Sequence, residues 1–434
     1  MLATPVENVN KRHKIWKIRI KLITSRHIST VFTPQAKALC GGTSAQSLSA
    51  THHMTQPQIH TFFELLRFSI DTSAPVPEAL SHADWAWLFQ TACNQAVCGI
   101  VFLGISRLPK QLLPPSAIML KFIAIAEATK KQNALLNRHC IELTSLLAKS
   151  GFRTCILKGQ GNALLYPNPM LRTPGDIDVW MEGGTRRVAA YINHFPGKHE
   201  LCYHHIQTPP FKGTEVEAHF RPAFMNNMLH NRRLQRYFSE NADKQFGNRT
   251  RLPGEEGLVS IPTIEFNIVQ QASHIANHFF HEGVGMRQIV DYYLLTKRYA
   301  ALHQGDANAY RQIETLLRRL GLHDFATAIM YVLHIVFRLP KGEMIVHEDE
   351  KRGRFLLNEI ILSGNFGHFD TRVPLIMRNN AIGRNAQRLL RDARLMRYFP
   401  AESLSEPVFR LWHFCWRKYY SLAIKHSGRR HKKP

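Results

Sequence analysis

CILKGQGNALLYPNPMLRTPGDIDVWM, residues Cys155 to Met181, is the stretch on which the fold turns. It begins in a β-rich run from Arg153 to Leu157, passes through Lys158-Gly159-Gln160-Gly161, and returns as a second strand carrying Asp176-Ile177-Asp178. Side chains alternate between faces along a strand, so Asp176 and Asp178 share one face while Ile177 and Val179 take the other, toward a core. Two neighbouring carboxylates raise each other's pKa unless a cation sits between them. The pair is therefore a seat for a hard divalent ion, and Mg²⁺ held by carboxylates and substrate phosphates is the usual arrangement. Gly159 and Gly161 let the backbone approach a ligand closely. A helix over residues 162–166 would aim free N–H groups at an anion, with Lys158 and Arg172 adding charge to the phosphate cradle. Read from the residues, this is a metal-nucleotide site. Asp-x-Asp alone is also common at solvated strand edges, so the weight falls on the ordered set around it.

That set runs strand, Lys158-Gly159, helix, Tyr166-x-x-Pro169-x-x-Arg172, then Gly175-Asp176-x-Asp178 and a hydrophobic continuation. It resembles the uncharacterised nucleotidyltransferase family of the polymerase-β-like superfamily. The resemblance implies a third carboxylate on a later strand, where Val216-Glu217-Ala218-His219-Phe220 stands in the corresponding place. Glu215, Glu217 and His219 share a face there, and Glu217 is the expected third ligand, with Glu215 its rival. Many relatives in the superfamily carry Gly-Ser in the first turn. Here Lys158-Gly159 replaces it, so either the lysine takes over the serine's role or the donor binds differently. The resemblance continues through His278 and Gly283-Val284-Gly285-Met286-Arg287-x-x-x-Asp291, where Arg287 and Asp291 stand four apart, a spacing that reads first as a helix ion pair.

Working outward, 434 residues exceed what one ordinary core fills, so two or three packed units are expected. Hydrophobic content of 44% with 20% charged residues is that of a soluble globular protein. The longest apolar run, Ala96 to Ile105, is far short of the ~18–20 residues of a membrane span. Seven scattered cysteines without a Cys-x-x-Cys pair speak against a disulfide framework or zinc ribbon and point to a reducing cytoplasm. His274 and His278 stand four apart on one helix face, but Ile275 occupies the place of a metalloprotease base.

Five regions are expected: a basic, disordered extension over 1–53; a helical segment over 54–151; the catalytic sheet domain over 152–261; a helical domain over 262–370; and a basic helical region and tail over 371–434. In the second region Ser81 to Asp84 reads as a capping box, and Pro115 and Ser150-Gly151 bracket a long helix. Residues 1–53 carry +7 and residues 371–434 carry +12, leaving only +5 of the formal +24 for the rest. Met54, just before helical periodicity begins, is an alternative start. Near the C-terminus Trp412, Phe414, Trp416, Tyr419 and Tyr420 alternate with basic residues. That mix suits nucleic acid or an anionic membrane surface, and equally a solvated tail after a helix packed through its aromatics.

These readings give an α+β protein, a small mixed sheet flanked by N- and C-terminal helical segments. The expected function is transfer of a nucleoside monophosphate from a nucleoside triphosphate, ATP the expected donor, to an unidentified hydroxyl. Asp176, Asp178 and Glu217 hold Mg²⁺ or Mn²⁺, and Lys158, Gly159, Gly161 and Arg172 hold the phosphates. The alternatives are a phosphotransferase using the same metal site and a non-catalytic anion-binding scaffold. All three carboxylates being present favours an enzyme.

Overall fold

A computed structural model describes residues 56–197, 199–364 and 381–430, apart from the side chains at 56, 381–387 and 421–430. The basic extension expected over 1–53 lies outside the described residues, as do 371–380 and 431–434 of the C-terminal region.

The chain opens with helices α1 (Gln56–Ile70), α2 (Trp85–Asn94), α3 (Cys98–Ile105) and α4 (Ser116–Lys149). The expected stripe Phe62, Phe63, Leu65, Leu66 and Ile70 is the buried face of α1. At Gly104 of α3 an added Cβ would lie 2.1 Å from the Ser69 hydroxyl of α1, so glycine is what lets these helices touch. The capping box expected from Ser81 does not form. Ser81 lies in a 3-10 turn over Glu78–His82, and Asp84 is the cap of α2, its carboxylate accepting from the Trp87 N–H at 3.0 Å. Helix α4 starts after Pro115 and ends at Ser150 and Gly151, the latter at φ +85°, a left-handed residue that closes a helix.

Strand β1 (Thr154–Leu157), short helix α5 (Gly159–Ala163), β2 (Ile177–Met181), α6 (Gly184–Ile192), β3 (His205–Gln207) and β4 (Val216–His219) form the sheet unit, with strand order β1-β2-β4-β3. The sheet is mixed: β2 and β4 are parallel, and the β1–β2 and β3–β4 pairs are antiparallel. Parallel neighbours need a long crossover, which α6 and β3 supply. Helix α5 begins at Gly159, three residues before the expected start, because the chain turns directly at Lys158 (φ +52°).

Alternation gives the sheet two dissimilar faces. Ile156, Val179, Ala218 and Ile206 belong to a core with Leu136, Leu143 and Leu147 of α4 and Val188 of α6. The opposite face places Cys155, Leu157 and Trp180 in the main core. It also carries the carboxylates.

Helices α7 (Met228–Glu240) and α8 (Ala242–Gly247) and a hairpin of β5 (Arg249–Arg251) and β6 (Leu258–Ser260) lead to α9 (Ile264–His281), α10 (Met286–Leu302), α11 (Ala307–Leu320), α12 (His323–Phe337), α13 (Glu350–Ser363), α14 (Ala381–Met396) and α15 (Pro400–Arg430). The main core joins α1 and α3 to α9, α10 and α12, so the two helical blocks share one interior. The fold is α+β. Among the described residues no helix is long and apolar enough to cross a membrane.

In α15 the aromatic residues divide. Phe409, Trp412 and Trp416 pack on Tyr203, with ring centroids 5.4–5.5 Å apart, while Phe414 and Tyr419 are exposed. Of the two readings of this segment, the helix packed through its aromatics holds for Phe409, Trp412 and Trp416. Trp412 and Trp416 are spent on holding α15 against the segment before β3.

Candidate functional site

Strand register brings the carboxylates together. Asp178 lies opposite Leu157 on one side and Glu217 on the other, and Glu217 lies opposite Gln207. One residue pair along, Trp180 lies opposite His219, which lies opposite His205. Directly opposed residues share a face. Asp176, just ahead of β2, falls on that same face two residues before Asp178. Glu215 is exposed and precedes β4, where its carbonyl accepts from the Ile177 N–H; Glu217, within the strand, is the one aligned with Asp178.

Asp178 is buried between two cations. Lys158 Nζ lies 2.8 Å and His219 Nε2 2.7 Å from its Oδ1. Burial opposes ionisation, but Lys158 and His219 outweigh it and hold this carboxyl well below its usual range. Asp176 goes the other way. Burial, then the charges of Asp178 and Glu217, push it up to about 7 against the pull of Lys158. Glu217 feels burial too, yet the hydrogen bond from His219 and the neighbouring His205 keep it below its ordinary value. His219 is buried, which alone would lower its pKa, but its bonds to Asp178 and Glu217 raise it to about 9.

Asp178, Glu217 and His219 could hold a divalent ion. The ligating atoms of Asp178, Glu217 and His219 lie within 4.8 Å of one another. An acid at about 7 beside two ionised ones is charge crowding that an ion relieves.

The expected phosphate residues divide. Lys158 reaches the site with a left-handed backbone, a conformation rare outside glycine and often kept at functional positions. At Gly159 (φ +32°) an added Cβ would meet only the Asp176 carbonyl, 3.8 Å away, so the turn lies open beside the carboxylates. Gly161 is small for another reason. An added Cβ would stand 3.2 Å from Ile261 Cγ2, so it is a packing contact between α5 and the segment after β6.

Arg172 overturns its expectation. It is buried, its Nε and Nη2 donating to the two oxygens of Asp291 on α10 at 2.8 and 2.7 Å. Tyr166 donates to the same carboxylate at 2.6 Å and Asn162 Nδ2 at 3.3 Å. Asp291 is therefore the partner of Arg172, and Arg287, expected to pair with it along the helix, donates to the Thr173 and Pro174 carbonyls at 3.3 Å. The Tyr166, Arg172 and Asp291 positions of the motif form a clamp that fixes the loop before β2 on the helical wall.

The sequence reading assigned no role to His204 or His205 and set aside a zinc role for His274 with His278. His205 and Gln207 alternate with Ile206 along β3, a period-two signal as good as that of β2 but only three residues long. His274 sits on α9, above the same face. Burial holds it well below its usual value, and Lys158, His278, His219 and His204 act in the same direction. Helix α9 is fixed there by Phe266, stacked on Trp180 at 5.8 Å, and by Asn277, which donates to the Phe224 carbonyl at 2.6 Å.

A family model described as an uncharacterised nucleotidyltransferase matches residues 81–338. No curated protein and no solved structure matches the chain.

Proposed function

The chain belongs to the uncharacterised nucleotidyltransferase family, whose model spans more than half of it, and from that premise we propose that it transfers a nucleoside monophosphate from a nucleoside triphosphate, ATP foremost, to a hydroxyl acceptor. The observation that carries the reading is the alignment of Asp178 with Glu217 across β2 and β4, with Asp176 on the same face and Lys158 against Asp178. Asp176, Asp178 and Glu217 are the residues that would hold Mg²⁺ or Mn²⁺. Bound there, the ion would supply charge neutralisation of the triphosphate and of the attacking and leaving oxygens.

The chain's own groups do the rest. The acceptor oxygen bonds to the α-phosphorus, the bond from that phosphorus to the oxygen bridging to the β-phosphate breaks, and pyrophosphate leaves with that oxygen. Glu217, kept ionised by His219, accepts the hydroxyl proton. Lys158 steadies the phosphates, and the open turn at Gly159 gives them room. Helix α9, packed over this face, limits water.

The test is to incubate the protein with each of ATP, CTP, GTP and UTP plus Mg²⁺ or Mn²⁺ and a cell extract of small molecules and macromolecules, and to follow masses. Gain of a nucleotide mass with release of pyrophosphate, lost in Asp176→Asn, supports the reading. Gain of a single phosphoryl mass makes the protein a phosphotransferase. Equal behaviour of the wild type and Asp176→Asn overturns the site.

A further inference from the structure

We propose that His204, His205 and His219 form, with Glu217, a second metal position at the β3 end of the site, one that takes a transition ion of the zinc class rather than Mg²⁺. The register makes it possible. His205 stands opposite His219 on the face that carries Glu217, and His204 precedes β3, with its carbonyl accepting from the Phe220 and Arg221 N–H groups beyond β4. The ligating nitrogens of the three histidines lie within 4.8 Å of one another. His204 Nε2 is 3.0 Å from His205 Nδ1, His205 Nδ1 is 3.3 Å from a Glu217 oxygen, and His219 Nε2 is 3.4 Å from that same oxygen. Zinc-to-nitrogen bonds of about 2.0–2.1 Å at tetrahedral angles need donors about 3.3 Å apart. The spacings present are close to that and are adjustable by ring rotation.

Donor chemistry separates this position from the carboxylate centre beside it. Asp176 and Asp178 offer only oxygen, which suits Mg²⁺ and Mn²⁺, whereas three imidazoles and one carboxylate favour zinc, cobalt, nickel or iron. Ring packing alone would be the plainer explanation, since His204 and His205 meet edge-to-face at 4.4 Å. Packing does not require polar nitrogens to converge on a carboxylate, as His205 Nδ1 and His219 Nε2 do on Glu217. His204 and His205 stand independently of the nucleotidyl-transfer reading; Glu217 and His219, shared by the two positions, rest on it.

The experiment uses the full chain without an affinity tag, freed of metal by chelator and titrated with Co²⁺, whose visible absorption is strong in a four-coordinate nitrogen-bearing site and weak in an octahedral oxygen site. The expected result is strong absorption at one equivalent, abolished by Zn²⁺ and unaffected by a large excess of Mg²⁺. His204→Gln and His205→Gln should each weaken Co²⁺ binding by at least about tenfold. Asp176→Asn should leave Co²⁺ affinity unchanged while abolishing nucleotide transfer, so the fates of the two proposals are read separately. Absence of strong absorption, its loss to Mg²⁺, or its persistence in the His204→Gln, His205→Gln double variant would overturn the inference. If the variants misfold, the Zn²⁺ and Mg²⁺ competition on the unaltered chain still decides.

Discussion

Asp178 has Lys158 and His219 within 2.8 Å, whereas Asp176, two residues earlier, is pushed up to about 7 by burial and by Asp178 and Glu217. The two aspartates should therefore answer differently to the same substitution. Asp176→Asn removes a crowded carboxyl, so without metal that variant should be as stable as the wild type or more so. Asp178→Asn leaves a buried ammonium and imidazolium without their counter-charge and should cost about 1–3 kcal/mol. Both should abolish transfer. The pH dependence follows from the sign of the shift. Between the ordinary carboxyl value of 3.8 and about 7 the folded chain keeps the Asp176 proton that the unfolded chain has lost, so metal-free stability falls as pH rises through that window. Asp392, raised to about 7 by burial and by Glu406, adds a slope of the same sign. The readout is accordingly the difference in melting temperature between wild type and Asp176→Asn in chelator from pH 4 to 8; a difference that does not change with pH would show that Asp176 has no such shift. Lys158→Met should weaken nucleotide binding and slow transfer about 10²–10³-fold without removing metal dependence, as loss of one preorganised charge does. Alternation made the shared face of Asp176 and Asp178 legible in the sequence, and the family resemblance supplied Glu217. Neither could show which cation each carboxylate meets, because Lys158 and His219 come from two other strand ends.

At the scale of elements, local signals did well where chemistry is local. Pro115 and Gly151 bracketed α4, since proline and a left-handed glycine act on their own turn. The start of α5 was misread because Lys158 takes a positive φ, a conformation that nothing in its residue type announces. Arg172 was misassigned for a related reason. Its partner Asp291 is 119 residues away, and a lone arginine after a glycine turn reads equally well as a phosphate ligand. With the clamp in view, Asp291→Ala leaves the buried Arg172 guanidinium uncompensated and frees the Tyr166 hydroxyl and Asn162. The loss should be on the order of 3–5 kcal/mol, as for one half of a buried pair. Arg172→Lys should also destabilise, because an ammonium cannot make the two-pronged contact. Thermal melts of both variants test this, and a Asp291→Ala chain that melts with the wild type would mean that the loop before β2 is held some other way.

Charge is a property of the whole molecule, and composition placed it at the two ends, with +12 in residues 371–434 alone. The packing limits how much of this region is tail. Phe409, Trp412 and Trp416 close on Tyr203, which adjoins His204, and the Glu402 carboxylate accepts from the Asn226 N–H at 2.7 Å. Cutting at 404 should strip the support behind β3 and lower the melting temperature. A chain ending at Tyr420 keeps those contacts and loses Lys425, Arg429, Arg430, Lys432 and Lys433. If the C-terminal cations meet a polyanion, each neutralised phosphate releases counterions, and the logarithm of affinity falls with the logarithm of salt by about 0.9 per contact on duplex DNA. The shortened chain should then bind more weakly at low salt, with a slope shallower by up to about 4.5. Titrations of both chains with a DNA duplex and with vesicles containing anionic lipid, at several salt concentrations, would identify the surface. Equal affinities and slopes for the two chains would mean that these five cations are solvated and bind neither.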